Sequence, residues 1–249
     1  MHTAFIQFTE VRKKFGSLVV LNGVNLTINK GEITVIIGKS GTGKSVLLKH
    51  IVGLVQEDSG QLLIQGEPLN RLPRKKALQF QKSMSYMFQD NALFDFLTVF
   101  DNIALPLKET SRISPSILKE KVHTRMSQLS IEGIDHKYPS ELSGGMRKRV
   151  ALARALVTNP EVILFDEPTA GLDPVRKKNV HHMIREYQKK FGFTAVIVSH
   201  DIPEIFDLAQ HIAFLDEGII AFEGSKQEIM ESDMKSVHGF IRGKDIRNE

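Results

Sequence analysis

The stretch Ile33–Ser45, with the sequence ITVIIGKSGTGKS, joins a run of five β-branched residues to a glycine-rich loop. A short apolar run bounded by glycines predicts a strand that is buried on both faces. The segment that follows, from Lys44 to Leu54, has helical periodicity. A buried strand that enters a helix through such a loop is typical of an α/β fold, in which helices cover both faces of a mainly parallel sheet.

The loop fits the phosphate-binding pattern G-x-x-x-x-G-K-[ST]. Its glycines let backbone N–H groups curl around phosphate oxygens, while Lys44 can reach the β- and γ-phosphates and Ser45 can ligate Mg²⁺. A plain glycine-rich turn is the alternative, but the strand before the loop and the helix after it favour a nucleotide site. The candidate ATP-binding residues are Gly38, Lys39, Ser40, Gly41, Thr42, Gly43, Lys44 and Ser45.

A second apolar run, Val162–Phe165, ends in the two carboxylates Asp166 and Glu167. Because successive strand residues face opposite sides, these two acids are expected to have different tasks. We expect Asp166 to position Mg²⁺ through its hydroxyl or water ligands, and Glu167 to polarise the attacking water. An exposed strand end is the alternative for this run when it is read alone.

Two polar residues follow other predicted strands. His200 comes after Thr194–Val198, where a neutral imidazole could donate a hydrogen bond to a γ-phosphate. Gln89 ends the apolar run Met84–Phe88, and an amide there could contact both Mg²⁺ and the water. Together with Glu167, these residues are the candidate catalytic set, and the candidate metal ligands are Ser45, Gln89 and Asp166.

The stretch Leu142–Met146 is a second candidate phosphate cradle. Ser143 is a suitable helix N-cap, two glycines follow it, and the apolar pattern beyond them is helical. Free N–H groups at a helix N-terminus bind anions readily. One nucleotide does not need two cradles from one chain, so this second cradle indicates a site that acts on the nucleotide of a partner.

The composition is that of an ordinary globular protein: 249 residues, 41% hydrophobic and 25% charged, with a formal net charge of +4. No run approaches the roughly 18 apolar residues that span a bilayer, and the N-terminus lacks a signal-peptide pattern. We therefore expect membrane work to need a partner. The absence of cysteine excludes disulfides and thiolate metal sites. Short basic clusters read as solvated faces, so direct nucleic-acid binding is not expected.

The predicted organisation is a single domain with an insertion. N-terminal strands are expected at Phe5–Phe8, Leu18–Leu21 and Leu62–Ile64, with a turn at Asn22-Gly23, and a hairpin is expected at Asp216–Gly218. Prolines punctuate the helical patterns of the middle segment, and Ser114 is a plausible N-cap there. The expected parts are a nucleotide-binding core with a β subdomain (residues 1–89 and 160–235), a helical subdomain (90–159) and a C-terminal tail (236–249).

The full set of motifs resembles the nucleotide-binding subunit of ABC transporters, in the order and at the spacings of that family. The matching segments are the Walker A loop (Gly38–Ser45), Q-loop (Gln89), signature (Leu142–Met146), Walker B strand (Val162–Glu167), D-loop (Gly171–Asp173) and H-loop (His200). The resemblance implies a P-loop NTPase core of the RecA-like type, with an N-terminal antiparallel β subdomain and an inserted helical subdomain. It also implies that Phe15 stacks on adenine.

The resemblance further implies partners. Two such subunits close head to tail as an ATP-dependent homodimer, and each ATP meets the Walker residues of one chain and the signature of the other. Ser143, Gly144, Gly145 and Asp173 would then contact the nucleotide across the seam. An integral membrane permease would dock in a groove near Gln89–Leu107, where apolar residues cluster.

Details of the sequence are similar to one branch of the family. Met146 replaces the usual glutamine, and residues 142–155 and 91–107 resemble the ATPases of Mce-associated lipid transporters, including the Mla phospholipid system. This similarity implies an Mce-domain lipid-binding partner and a peripheral location on the cytoplasmic face of the inner membrane. Three alternatives remain: the ATPase of an amino-acid or metal importer, a soluble ABC ATPase acting on nucleic acid or the ribosome, and a switch that only binds nucleotide.

Overall fold

The computed structural model of the chain describes residues 3–87, 92–110 and 113–241. The strands in these ranges are β1 (Ala4–Phe15), β2 (Leu18–Asn29), β3 (Ile33–Ile37), β4 (Ser59–Ile64), β5 (Glu67–Pro68), β6 (Met84–Met87), β7 (Val162–Asp166), β8 (Thr194–Ser199), β9 (His211–Asp216) and β10 (Ile219–Gly224). The helices are α1 (Lys44–Ile51), α2 (Arg74–Lys82), α3 (Val99–Thr110), α4 (Pro115–Gln128), α5 (Gly144–Leu156), α6 (Pro174–Phe191), α7 (Lys226–Glu231) and α8 (Lys235–Ile241). None of the helices in the described ranges has the length and apolar character needed to cross a membrane.

The central sheet has six strands in the order β10-β9-β3-β8-β7-β6. Every pairing from β9 to β6 is parallel, and only the edge strand β10 runs antiparallel to its neighbour. All five residues of β3 are buried, which confirms the prediction of a strand covered on both faces. The predicted hairpin also forms, because Glu217 and Gly218 both adopt positive φ between β9 and β10.

The N-terminal sheet is antiparallel, with the order β2-β1-β4-β5. Its first two strands are each twelve residues long, far longer than the predicted runs. The turn predicted at Asn22-Gly23 is wrong, since both residues lie inside β2. Val24 pairs with Val11 and Asn22 with Arg12, so Gly23 is an extra residue with a φ of 95°, and the glycine makes a bulge instead of a turn.

The helices α3, α4 and α5 pack together and form the inserted helical part. Ser114 caps α4 as predicted, with its side chain accepting a hydrogen bond from the Ile117 N–H. Pro106 does not interrupt the helical pattern, because it lies inside α3. Its missing N–H costs the helix one backbone bond, but the stripe of Val99, Ile103 and Leu107 is buried in the core and holds the helix together.

The C-terminal helix α8 includes the first six residues of the predicted tail, which spans residues 236–249. Residues 236–241 belong to this helix, and the side chain of Val237 is buried. The ring of Phe240 stacks on Phe214 of β9, with their centroids 5.0 Å apart. This apolar contact joins the end of α8 to the central sheet, while residues 242–249 lie outside the described ranges.

The strand β1 has a register shift between Phe8 and Val11, and Gly60 of β4 lies against this irregular segment. A Cβ at Gly60 would lie 2.2 Å from the carbonyl oxygen of Glu10, whereas one at Gly66 would meet nothing within 4 Å. Both glycines have positive φ, so the G60A and G66A variants share a strain of about 1–2 kcal/mol. We expect the clash to cost G60A about 1–3 kcal/mol more in the free energy of unfolding, measured with urea. Equal losses in the two variants would contradict this account.

Candidate active site

The phosphate-binding loop connects the carboxyl end of β3 to α1, and its glycines are required by close approaches. A Cβ at Gly38 would lie 2.4 Å from the Leu215 carbonyl oxygen. Gly43, the residue before α1, has a φ of 103°, and a Cβ there would lie 2.8 Å from Cγ1 of Val20. The loop therefore passes against β9 and β2 in a path that larger residues could not follow.

Lys44 points into this loop. Its side chain is buried, and Nζ donates hydrogen bonds to the carbonyl oxygens of Gly38 at 2.7 Å and Lys39 at 2.9 Å. Burial lowers the pKa of Lys44, while the negative charges of Glu167 and Asp166 oppose that shift. An ammonium group held in this way is the natural counter-charge for a phosphate enclosed by the loop.

Ser45 meets Asp166 at the start of α1. The Ser45 hydroxyl donates to Oδ1 of Asp166 at 2.9 Å, although the two residues are 121 positions apart in the chain. Asp166 is the last residue of β7, and its other oxygen, Oδ2, accepts a hydrogen bond from the Tyr86 hydroxyl at 2.7 Å. The fold thus brings the two candidate metal ligands of the described chain into direct contact.

Glu167 turns away from the strand direction, because it has a positive φ of 50°. Its N–H still donates to the Val198 carbonyl oxygen at 3.0 Å, which keeps the residue beside β8. The carboxylate lies 2.8 Å from Nδ1 of His200 and 3.9 Å from Nζ of Lys44. The candidate catalytic acid, the histidine and the loop lysine therefore form one continuous polar group.

His200 is half-exposed and faces this group from the end of β8. A neutral imidazole has a single N–H donor. In the described geometry Nδ1 lies against the Glu167 carboxylate, so Nε2 is the ring nitrogen left to face a phosphate. The predicted hydrogen bond from His200 to a γ-phosphate stays a prediction.

Gln89 and Phe15 are the remaining candidates for the nucleotide of this chain. Gln89 is outside the described residues, so its contacts with Mg²⁺ and water stay predictions. Phe15 is exposed at the end of β1, where the Lys13 ammonium lies 5.5 Å from its ring centre. A cleft of about 490 Å³ opens beside the phosphate-binding loop, with walls from β2 and from the β9–β10 turn. Its lining includes Leu18, Val19, Lys39, Gly41, Thr42 and Asp216.

Ser143 and Asp173 each cap their own helix. The Ser143 side chain accepts from the Met146 N–H at the start of α5, and Asp173 accepts from the Arg176 N–H at the start of α6. Both residues are exposed, as are Gly144 and Gly145. The helix N-terminus predicted at the second cradle is confirmed, and it faces solvent beside a cleft of about 760 Å³ between α5 and α6.

The sequence analysis missed a buried support behind His200. Asp201, the next residue, accepts hydrogen bonds from the Thr169 hydroxyl and the Lys177 ammonium. Burial alone would raise the pKa of Asp201, but these two bonds, together with the positive charge of Lys177 and the nearby His200, lower it. The contact ties the segment after Glu167 to the segment after His200. The only signal in the sequence was an acid beside the candidate histidine, and sequence could not show that it is buried.

Comparison with known proteins gives consistent similarities. Residues 21–170 match the sequence profile of a family described as ABC transporter. The chain is 37% identical over 228 residues to the intermembrane phospholipid transport system ATP-binding protein MlaF of Escherichia coli K12, covering 92% of this chain and 85% of that protein. It is 35% identical over 241 residues to the probable ribonucleotide transport ATP-binding protein mkl of Mycobacterium tuberculosis H37Rv, covering 97% of this chain and 67% of that protein.

Two solved structures have the same fold. The first is cbiO1 from Clostridium perfringens, described as part of the ABC transporter complex cbiONQ, with a TM-score of 0.84, 29% identity, and coverage of 92% of this chain and 91% of that chain. The second is a dimeric post-hydrolysis state of the ATP-binding cassette MJ0796 bound to ADP and Pi, with a TM-score of 0.74 and 30% identity. It covers 89% of this chain and 98% of the MJ0796 chain. These similarities confirm the predicted fold class.

The first test of the site is the K44A variant. Removing the ammonium leaves the loop carbonyls and any bound phosphates without their counter-charge, so we expect ATP affinity to fall at least tenfold and hydrolysis to be lost. K49A is the matched control, because Lys49 carries the same charge on an exposed face of α1. ATP binding can be measured by calorimetry and turnover by phosphate release. Normal turnover in K44A would contradict the loop assignment.

Proposed function

The chain belongs to the ABC transporter family, and we propose that it is the ATP-binding and ATP-hydrolysing subunit that energises lipid transport through a separate membrane permease. The observation that carries the ATPase role is the meeting of Lys44, Ser45, Asp166, Glu167 and His200 at one edge of the parallel sheet. In open α/β sheets, ligands bind at the carboxyl ends of the strands. The lipid cargo is supported by the similarity to MlaF over 92% of the chain.

The triphosphate would lie in the loop between β3 and α1. Backbone N–H groups of Gly41, Gly43 and their neighbours would hold its oxygens, together with the positive end of the α1 dipole. Lys44 would exchange its carbonyl partners for β- and γ-phosphate oxygens. The adenine would lie toward Phe15 at the end of β1, where the exposed ring offers a stacking surface.

The residues present fit a magnesium ion. Ser45 and Asp166 supply a hydroxyl and a carboxylate within 2.9 Å of each other, and such hard oxygen donors suit Mg²⁺. Within the described ranges no group of three or more histidines and acids could hold a metal by itself. Mg²⁺ at nucleotide sites is usually bound by one or two protein ligands together with substrate phosphates. Gln89 is the further candidate ligand. When bound, Mg²⁺ would neutralise charge on the β- and γ-phosphates.

Hydrolysis would depend on placing one water in line with the γ-phosphate. Glu167 would accept a hydrogen bond from this water and polarise it, with Gln89 beside it. His200 would donate to the γ-phosphate while its Nδ1 stays on Glu167. His200 would thus contact both the phosphate and the residue that polarises the water. Phosphoryl transfer needs positioning and charge neutralisation, so these groups can support hydrolysis without a covalent nucleophile from the protein.

A second copy of the chain would complete each site. The exposed start of α5, with Ser143, Gly144 and Gly145, would supply N–H donors and a hydroxyl to the γ-phosphate of the partner. Asp173 would lie across the same seam. The similarity to a dimeric cassette bound to ADP and Pi supports this arrangement. Hydrolysis would then require ATP-driven closure of a homodimer.

The permease would contact the loop before α3. Phe96 is 76% exposed and Phe94 is 42% exposed, and their ring centroids lie 5.6 Å apart. Asn102, which is fully buried, holds this loop by accepting from the Phe94 N–H and donating to the Phe94 and Leu97 carbonyls. A firmly held loop that presents two phenyl rings to solvent suits a coupling helix of a membrane subunit.

Cargo and location follow from the choice of partners. We propose a permease and an Mce-domain lipid-binding protein as the remaining subunits, with this chain held on the cytoplasmic face of the inner membrane. The similarity to mkl, whose name describes ribonucleotide transport, supports ribonucleotide as an alternative cargo for a transporter of the same kind. Purification of the assembled complex and measurement of ATPase stimulation by phospholipid against ribonucleotide would decide between them.

The E167Q variant tests the shared site. It keeps the shape of the side chain but removes the charge that polarises water, so we expect ATP binding to persist and turnover to fall at least a hundredfold. The ATP-bound dimer should then accumulate and be visible by sizing chromatography. E161Q is the matched control, since Glu161 is an exposed acid just before the opposite end of β7. A monomer under all conditions, even with the permease present, would contradict the two-chain site.

The F96S variant tests the docking surface. Removing an exposed phenyl ring should leave the ATPase rate of the isolated chain unchanged, but it should reduce recovery of this chain with the proposed permease. L54S is the matched control, because Leu54 is 74% exposed and lies after α1 instead of before α3. Equal recovery of F96S and L54S in quantitative pull-downs would rule out a contact at Phe96.

A further inference from the structure

Tyr86 lies on β6, one strand away from the carboxylate of Asp166. The parallel register pairs Tyr86 with Leu164 and Met87 with Phe165, so Asp166 is two positions beyond the partner of Tyr86. The Tyr86 ring reaches forward along the strand, and its hydroxyl donates to Oδ2 of Asp166 at 2.7 Å. Tyr86 belongs to none of the sequence motifs of the site.

The bond means that Asp166 is held at both oxygens. Ser45 donates to Oδ1 and Tyr86 donates to Oδ2. The terminal torsion of an aspartate is broad and roughly two-fold, so the carboxylate plane is set by its partners. With a donor on each side, the group cannot rotate without losing a hydrogen bond. Each oxygen still has a lone pair that a cation or its water could use.

The Tyr86 hydroxyl is the donor of this hydrogen bond, because an ionised carboxylate can only accept. The phenol therefore holds Asp166 without bringing a second carboxylate toward the phosphates.

We propose that Tyr86 is a positioning residue for the divalent cation of the bound nucleotide. Its hydroxyl orients Asp166 so that Oδ1 stays beside Ser45, where the cation would lie. The role rests on the proposed cation site at Ser45 and Asp166. Tyr86 itself touches neither the cation nor the nucleotide, and it acts only through the carboxylate.

The test uses Mn²⁺ as a spectroscopic probe for the cation. Free Mn²⁺ is titrated by electron paramagnetic resonance in the presence of the full-length chain and saturating ADP. Y86F keeps the ring and its packing but lacks the hydroxyl, and Y187F removes the hydroxyl of a buried tyrosine on α6 as the control. ADP affinity is measured separately in EDTA, which reports the fold and the phosphate-binding loop without the metal.

We expect Y86F to bind Mn²⁺ about tenfold more weakly, in the range seen when a partner of a metal-binding group is removed. Its ADP affinity in EDTA should equal that of the unmodified chain, and Y187F should match that chain in both measurements. Weaker ADP binding by Y86F in EDTA would assign the residue a purely structural role and overturn the proposal.

D166N separates this inference from the cation site on which it rests. If D166N binds Mn²⁺ weakly while Y86F binds it normally, the cation site stands and the role of Tyr86 is wrong. If D166N also binds Mn²⁺ normally, the cation site itself is wrong and the role of Tyr86 falls with it.

Discussion

The burial of the Lys44 ammonium is the constraint on which the rest of the site depends. A charged group removed from water is costly unless it is paired and hydrogen-bonded. Here two loop carbonyls accept from it, and the Glu167 carboxylate lies 3.9 Å away. The hydrogen bonds to the carbonyls require the loop to fold back over the lysine, and only glycine fits at Gly38 and Gly43 on that path. The ion pair requires an acid at the end of a neighbouring strand.

The parallel sheet supplies that acid. Because β3, β7 and β8 run in the same direction, their carboxyl ends lie at one edge and bring Lys44, Asp166, Glu167 and His200 together. Behind them, Asp201 binds Thr169 and Lys177 and joins the loops that follow β7 and β8. The buried Asp201 therefore links the two loops that carry Glu167 and His200.

Two exposed features of the helical insert are available to the proposed partners. The start of α5 offers a capped helix N-terminus, and the loop before α3 offers two phenyl rings fixed by the buried Asn102. A helix N-terminus and an apolar surface would suit the two proposed partners, a second nucleotide-loaded chain and a membrane subunit. The two features belong to the same helical insert, because α3 and α5 pack against each other.

The sequence by itself determined the local elements and, through the order of its motifs, the fold class and the family. The β3–loop–α1 segment and the caps at Ser114 and Ser143 are set by residues within a few positions of one another, and their patterns predicted them correctly. Tertiary structure decided the rest: Asn22-Gly23 became a bulge, Pro106 stayed inside a helix, and Tyr86 and Asp201 acquired their partners. Those outcomes depend on contacts between segments that are distant in the chain. The packing of these segments outweighs local preference, and it does not appear as a periodic pattern in the sequence.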